Sequence, residues 1–417
     1  MARYSSRGRS FVLAAFLIPV AGVAQTTPDW STNYKNGVAA FSSGHYKDAI
    51  SLLAAAAEQA RTLNQSDINL AQISHALAMS YQFNGDPGHA EPLYLQAKSI
   101  FESLGPGARG QLATTLTGLG LVRVEQEKWQ EAEELFTRAL DLCPANKTPD
   151  RCSLTAMRHL GDLFAAQGRP DDAVKVLEPA VRTARETTGL DAGLRDALLR
   201  SLGYAYMLNS SYSRAEPLLR ESLESASKNG DQDLAYADSL MSLGRLYRLR
   251  HDAARAAPLV KKARAAYEAA GDPLMSTAWS ELGIIAIDQG KYTTARDLFN
   301  LALEFNRRTF GPAHVTVARA EFNLAQAYMG ERKYLEAKSH VEAALAGQRK
   351  LFGETHPDVA KSYMLAAEVE ASLHHPDQAD EHYRAALAIF RVTSPGTKAD
   401  LASAEQEYRQ FGKSFAK

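Results

Sequence analysis

Apolar positions along this chain follow helical spacing and come as paired stripes. The clearest pair lies in Trp279–Ala302, WSELGIIAIDQGKYTTARDLFNLA. Trp279, Leu282 and Ala286 recur at i, i+3 and i+7, which is one face of a helix. Gly283 shares that face and lets a facing helix approach, at a propensity cost of about 1 kcal/mol against Ala. Asp288-Gln-Gly-Lys ends the helix, with Gly290 suited to a positive φ in the turn. Tyr292 opens a second helix whose stripe is Ala295, Phe299 and Ala302. Small and large residues alternate across the two stripes, as close helix–helix packing requires.

Copies of this hairpin recur along nearly the whole chain. The small residue that opens each second stripe is Ala49, Ala90, Ala132, Ala173, Ala215, Ala256, Ala295, Ala337 and Ala379. The steps between them are 41, 42, 41, 42, 41, 39, 42 and 42 residues. Twelve residues before each stands Gly37, Ala78, Gly120, Gly161, Gly203, Gly244, Gly283, Ala325 or Ala367, and seven after it stands Ala, or Ser222 in the fifth copy. A generic Ala-rich helical protein would drift out of phase. Three columns kept over nine copies imply stacked helical hairpins that share one continuous core.

The small-residue columns resemble those of the tetratricopeptide repeat (TPR) family. The family's turn aromatic or proline falls on Tyr46, Pro87, Trp129, Pro170, Tyr212, Tyr292, Tyr334 and Pro376, and the sixth repeat departs with Ala253. The period is about eight residues longer than the usual 34. The long form is similar to the repeats of kinesin light chains, best seen in Phe352-Gly-Glu-Thr-His-Pro-Asp-Val-Ala and its copy Phe310-Gly-Pro-Ala-His-Val-Thr-Val-Ala. Asn323-Leu-Ala and Glu216-Pro-Leu-Leu fit the same style. The resemblance covers roughly residues 30–390. It implies an all-α fold: a right-handed α-solenoid of about nine TPR-like helix–turn–helix repeats over residues 25–393, followed by a C-terminal capping helix and tail at 394–417.

The ends refine this picture. Residues 1–24 read as a secretory signal peptide: Arg3, Arg7 and Arg9, then a 14-residue apolar run broken by Pro19, then Gly22-Val-Ala24 as the cleavage site. The run is short of the ~20 residues that span a bilayer, and no later segment is long and apolar enough to do so. The expectation is an exported protein, periplasmic or secreted, with no integral membrane segment after cleavage. The full chain carries a net charge of −1, and losing three arginines and no acid brings the remainder to −4. That balance offers no basic stripe for nucleic acid. Toward the other end, Ser394-Pro-Gly-Thr breaks the pattern, and residues 398–412 predict a last helix with Leu401, Ala404, Tyr408 and Phe411 on one face. Asp400, Glu405, Glu407 and Arg409 are expected to face away.

Candidate chemistry is sparse. Gly105-Pro-Gly-Ala-Arg-Gly110 matches G-x-G-x-x-G, but no strand precedes it, so it reads as an inter-repeat loop. Ser225-Ala-Ser-Lys228 matches S-x-x-K without the S-D-N and K-T-G elements that give it meaning. His374 and His375 occupy a turn slot, with His382 beyond, and a solvated turn is the simpler reading than a metal site. The only cysteines, Cys143 and Cys152, flank one loop. In an exported chain they are expected to close as a disulfide, the alternative being two free thiols in helix ends. Two Cys without phased His do not make a zinc site. No cofactor or metal is called for.

In the TPR family the first helices line a concave groove. The residues that point into it would lie 18, 15, 11 and 8 positions before each anchor alanine. Apolar members are Tyr34, Phe41, Met79, Leu121, Tyr204, Met207, Met241, Ile284, Phe322, Met329 and Met364. Charged members are Arg158, Arg200, Arg245, Arg248, Arg319 and Lys361, interrupted by Asp162, Asp238 and Glu368. Arginine suits carboxylate recognition and methionine suits adaptable apolar contact. Equally, the arginines could pair with those acids. The groove expected to bind a protein or peptide is Arg158, Arg200, Tyr204, Met207, Met241, Arg245, Arg248, Ile284, Arg319 and Phe322. Repeats fill nearly all of the chain and leave no room for a catalytic domain, so the function expected is a non-catalytic interaction scaffold rather than an enzyme with an unrecognised site. A self-assembling structural component of the cell envelope is the other alternative.

Overall fold

A computed structural model of the chain describes residues 30–63, 67–143, 150–228, 230, 233–393 and 398–415. The expected signal peptide, the interior of the Cys143–Cys152 loop and the Ser394-Pro-Gly-Thr break lie outside the described residues. The described residues form helical hairpins and no strands. The first helices are α1 (Trp30–Ser42), α3 (Asp67–Phe83), α5 (Arg109–Glu125), α7 (Arg151–Ala166), α9 (Ala192–Leu208), α11 (Leu234–Leu249), α13 (Met275–Asp288), α15 (Val315–Gly330) and α17 (Pro357–Ser372). The second helices are α2 (Tyr46–Thr62), α4 (Pro87–Ser103), α6 (Trp129–Leu142), α8 (Pro170–Glu186), α10 (Tyr212–Ser227), α12 (Ala253–Ala269), α14 (Tyr292–Phe310), α16 (Tyr334–Phe352) and α18 (Pro376–Thr393). The last helix is α19 (Lys398–Phe415).

Each second helix begins at the turn aromatic or proline column, and α12 begins there too, on Ala253. Asp252 explains why Ala suffices at that position: its carboxylate caps the helix, accepting from the Arg255 N–H at 3.0 Å. One turn geometry serves every hairpin. The N–H four residues before the anchor donates to the carbonyl nine before it, as in Lys291 to Ala286 and Asp252 to Tyr247, both at 2.8 Å. The residue between carries a positive φ, which is the Schellman ending of a helix. Gly44, Gly85, Gly168 and Gly290 fill that place in four turns. Glu127, Ser210, His251, Arg332 and His374 fill it in the other five, with φ between 55 and 63°.

Packing explains the small-residue columns. All nine anchor alanines have no exposed surface. Opposite the first column stands a large residue four after the anchor. A Cβ on Gly120 would lie 2.5 Å from Phe136, one on Gly161 2.4 Å from Leu177, and one on Gly283 2.4 Å from Phe299. Only a bare backbone lets these hairpins close.

The chain divides into two compact units, Met1–Ser225 and Ala226–Lys417. In the first unit α1 touches α3, α3 touches α5, α5 touches α7, and α7 touches α9. In the second, α11 touches α13, α13 touches α15, and α15 touches α17. Second helices make no comparable contact with one another among the described residues. Each unit is thus a helical solenoid whose first helices lie side by side in one layer.

Three inter-repeat details stand out. Gly105–Ala108 is a short 3-10 turn leading into α5, so the glycine-rich match is a connection between repeats. Cys143 and Cys152 are disulfide-bonded across 5.6 Å between Cα atoms, fastening the end of α6 to the start of α7. Phe310 stacks on His314, and Phe352 lies against His356, each with ring centroids 4.4 Å apart. Those two histidines cap α15 and α17 through Nδ1. At the C-terminus α19 extends three residues further than expected and packs Leu401, Ala404, Tyr408 and Phe411 against α17 and α18. Its polar side is not wholly free: Asp400 meets Lys361 at 3.3 Å and Glu405 meets Arg391 at 3.3 Å.

Candidate binding surfaces on the first helices

In the first unit the expected groove residues sit on α7 and α9. Arg158 reaches Asp162, one turn on, at 3.1 Å. Its other terminal nitrogen donates to His159 Nε2 at 2.9 Å, which requires that nitrogen to carry no proton. Burial, and then the charge of Arg158, hold the His159 imidazole well below its ordinary pKa, so the ring is neutral and stacks on Phe136 at 5.6 Å. Arg200 donates to the Ser222 hydroxyl at 3.4 Å. Tyr204 is half-buried, but Met207 is only 4% exposed and belongs to the core. On α3, His75 lies 3.1 Å from the Thr115 hydroxyl. That hydroxyl gives its proton to the Gln111 carbonyl at 2.8 Å, so His75 Nδ1–H is the donor. Burial lowers the His75 pKa to about 4.

In the second unit a buried carboxylate organises the site. Arg245 and Arg248 project from α11, and their Nε atoms donate to the two oxygens of Glu281 on α13, at 3.2 and 2.6 Å. The Glu281 side chain is only 6% exposed. Arg248 also stands 4.0 Å from Asp288, whose carboxyl burial pushes above its ordinary pKa. Asp238 accepts the Tyr267 hydroxyl at 2.7 Å. Met241 is 4% exposed and packs inward. Ile284 is half-buried beside the Phe299 and Leu324 cluster. Arg319 and Phe322 on α15 are also half-buried, with Phe322 against the Met364 cluster.

The expected residues therefore separate into two kinds. Tyr204, Ile284, Arg319 and Phe322 reach the surface of the first-helix layer in their own units. Met207 and Met241 do not: each is 4% exposed and packed in the core. Of the acids expected to pair with the arginines, Asp162 holds Arg158, while Arg245 and Arg248 are held by Glu281, which was not among them.

Sequence reasoning missed the acids themselves. Glu281, Glu321, Glu331 and Glu370 are nearly buried, and each is held between two basic side chains. Arg307 and His340 hold Glu321, and Lys338 and His375 hold Glu370. They occupy no common repeat column, so periodicity gave no sign of them. Among the described residues, one group of side chains has metal-ligand proximity: Cys143, Asp150 and Cys152. The sulfurs are bonded to each other, and Asp150 caps α7 by accepting from Ser153 N–H at 3.0 Å.

Comparison with known proteins agrees with this architecture. A Rap protein complexed with Competence and Sporulation Factor superposes with a TM-score of 0.62 at 14% identity, covering 88% of this chain and 99% of that one. The apo quorum sensor NprR from B. thuringiensis gives 0.59 at 13% identity, covering 86% and 98%. A putative kinesin light chain from Podosopora anserina with nearly identical TPR-like repeats is 22% identical over 48% of this chain and 96% of its own, with a TM-score of 0.40. No curated protein matches the sequence. The tetratricopeptide repeat family profile matches residues 111–186, 194–269, 274–331 and 317–391, more than half of the chain. With its hairpin columns, Schellman turns and layered first helices, the chain belongs to the tetratricopeptide repeat family.

Proposed function

We propose that this chain is a non-catalytic, exported scaffold that binds a peptide or protein segment on the first-helix layer of its second unit. The observation that carries the reading is the Arg245–Glu281–Arg248 clamp beside half-buried Ile284, with Arg319 and Phe322 on the next first helix. Glu281 fixes both guanidinium groups before any partner arrives, which lowers the ordering cost of binding. Ile284 and Phe322 add apolar area that a partner can cover. The segment that suits this surface carries an acidic group next to apolar side chains, since guanidinium groups favour carboxylates. A Rap protein of similar fold was solved in complex with Competence and Sporulation Factor, and this supports looking for a bound partner.

Export is proposed from the leader-like residues 1–24. A bonded Cys143–Cys152 pair supports the same reading, because such bonds persist in oxidising compartments. N-terminal sequencing of protein taken from its native host should begin at Gln25, and a sequence that retains earlier residues argues against it.

Selection of a peptide-display library on the full chain tests the binding reading. Acidic–apolar peptides should be enriched on wild type and lost on an Ile284→Ser, Phe322→Ser variant, assayed well below that variant's own melting temperature. Recovery of the same peptides by that variant would show that the second unit's first-helix layer is not the site.

A further inference from the structure

The second unit ends in a cleft that the repeats themselves do not explain. Earlier second helices of this unit are flanked by a following hairpin: α14 by α15, and α16 by α17. Among the described residues α18 is followed by α19 alone. A cleft of about 380 Å³ opens there, lined by Arg384, Leu387, Arg391, Glu405, Tyr408 and Arg409. That lies within the roughly 300–1,000 Å³ typical of small-ligand sites.

The lining has a definite chemistry. The half-buried Tyr408 ring supplies the apolar surface, and Leu387, only 4% exposed, belongs to the core that backs the cleft. Three guanidinium groups surround them, and two are already engaged. Arg384 lies 2.9 Å from Asp380, and Arg391 lies 3.3 Å from Glu405. The Tyr408 hydroxyl donates to Asp380 at 2.6 Å and accepts from Arg384 Nε at 3.3 Å, which holds that side of the cleft in place. Arg409 lines the same cleft, is exposed, and has no ion-pair partner among the described residues. Three positive and two negative groups leave one uncompensated positive charge.

We propose that the α18–α19 cleft binds a monocarboxylate carrying an apolar group, whether a free organic acid or the C-terminal residue of a peptide. One carboxylate matches the one uncompensated charge and can take Arg409 as a bidentate pair. A dianion such as phosphate would meet Glu405 with its second charge and finds no use for the Tyr408 ring. The apolar group covers the exposed part of the Tyr408 ring and releases the water over it. This site is separate from the first-helix layer and stands whether or not that layer binds a peptide.

Isothermal titration of the full chain with N-acetylphenylalanine, and with its neutral amide, tests the proposal. The acid should bind saturably and the amide at least about tenfold more weakly, the scale of one lost charge-assisted contact. Arg409→Gln, at an exposed position, should weaken the acid by a similar factor and leave the melt unchanged. Unblocked phenylacetate separates the two ligand sources: equal affinity points to free acids, and weaker binding to a peptide terminus, and either result supports a carboxylate site. Absence of saturable acid binding, equal affinity for acid and amide, or full affinity in Arg409→Gln would overturn it. So would inorganic phosphate that binds the wild-type chain more tightly than the acid.

Discussion

Gly283→Ala should destabilise the second unit, although the same change in an open helix would stabilise it. Removing a helix-interior glycine gains about 1 kcal/mol in propensity. Here the new methyl carbon would lie 2.4 Å from Phe299 Cε1 and 2.7 Å from Cζ, far inside contact distance. Phe299 is fully buried, so its ring has no solvent to retreat into. Overpacking of this kind costs about 1–3 kcal/mol. The net loss is up to about 2 kcal/mol, or up to roughly 8 °C in Tm for a unit of this size. Gly412→Ala in α19 is the control: it is exposed, nothing lies within 4 Å of the added carbon, and the melt should rise slightly. Phe299→Leu removes the ring edge, so the double variant Gly283→Ala, Phe299→Leu should lose less than the sum of its two singles. Melts of Gly283→Ala at or above wild type, or strict additivity with Phe299→Leu, would refute the claim that this contact sets the column.

Three other outcomes follow from the structure. His75 has a folded pKa of about 4, so the unfolded chain binds its proton first. Its contribution is complete above about pH 6.5 and is lost as pH falls toward 4, by up to about 3 kcal/mol; a denaturant midpoint with the same pH slope in His75→Gln as in wild type contradicts this. Reducing the Cys143–Cys152 bond, which closes a separation of nine residues, should lower stability by at most about 2.5 kcal/mol, and melts with and without reductant that coincide argue against it. Glu281→Gln should cost about 3 kcal/mol, the low end for a broken buried pair because Arg245 and Arg248 keep some solvent; a double-mutant cycle with Arg248→Gln that shows no coupling would sink that value.

Much of the fold was legible because packing imposes a phase. Gly283 must be small because Phe299 fills the space opposite, and the same pairing returns as Gly161 with Leu177 and Gly120 with Phe136. A steric demand repeated at one interval leaves a column in the sequence. The site was less legible because its buried acids keep no common column. Arg245 and Arg248 lie on a first helix, but their partner Glu281 lies on the next repeat at an offset that no other buried acid shares. Met207 and Met241 fell in the stripe by count, yet both are buried, while Phe322 in the same register as Met241 is not. The α18–α19 cleft left no trace in the columns, since it exists where the repeat stops.

The five hairpin turns that hold Glu127, Ser210, His251, Arg332 and His374 in a left-handed conformation give the chain a reserve for adaptation. Each such residue costs roughly 1 kcal/mol relative to glycine, and neighbouring turns show that glycine fits the same geometry. Five single substitutions could therefore add about 5 kcal/mol, comparable with the whole stability of many domains. Natural chains seldom sit at their stability optimum. A descendant that acquired these glycines could tolerate one or two costly changes on its recognition surfaces without unfolding, so new partners could be explored with the scaffold unchanged.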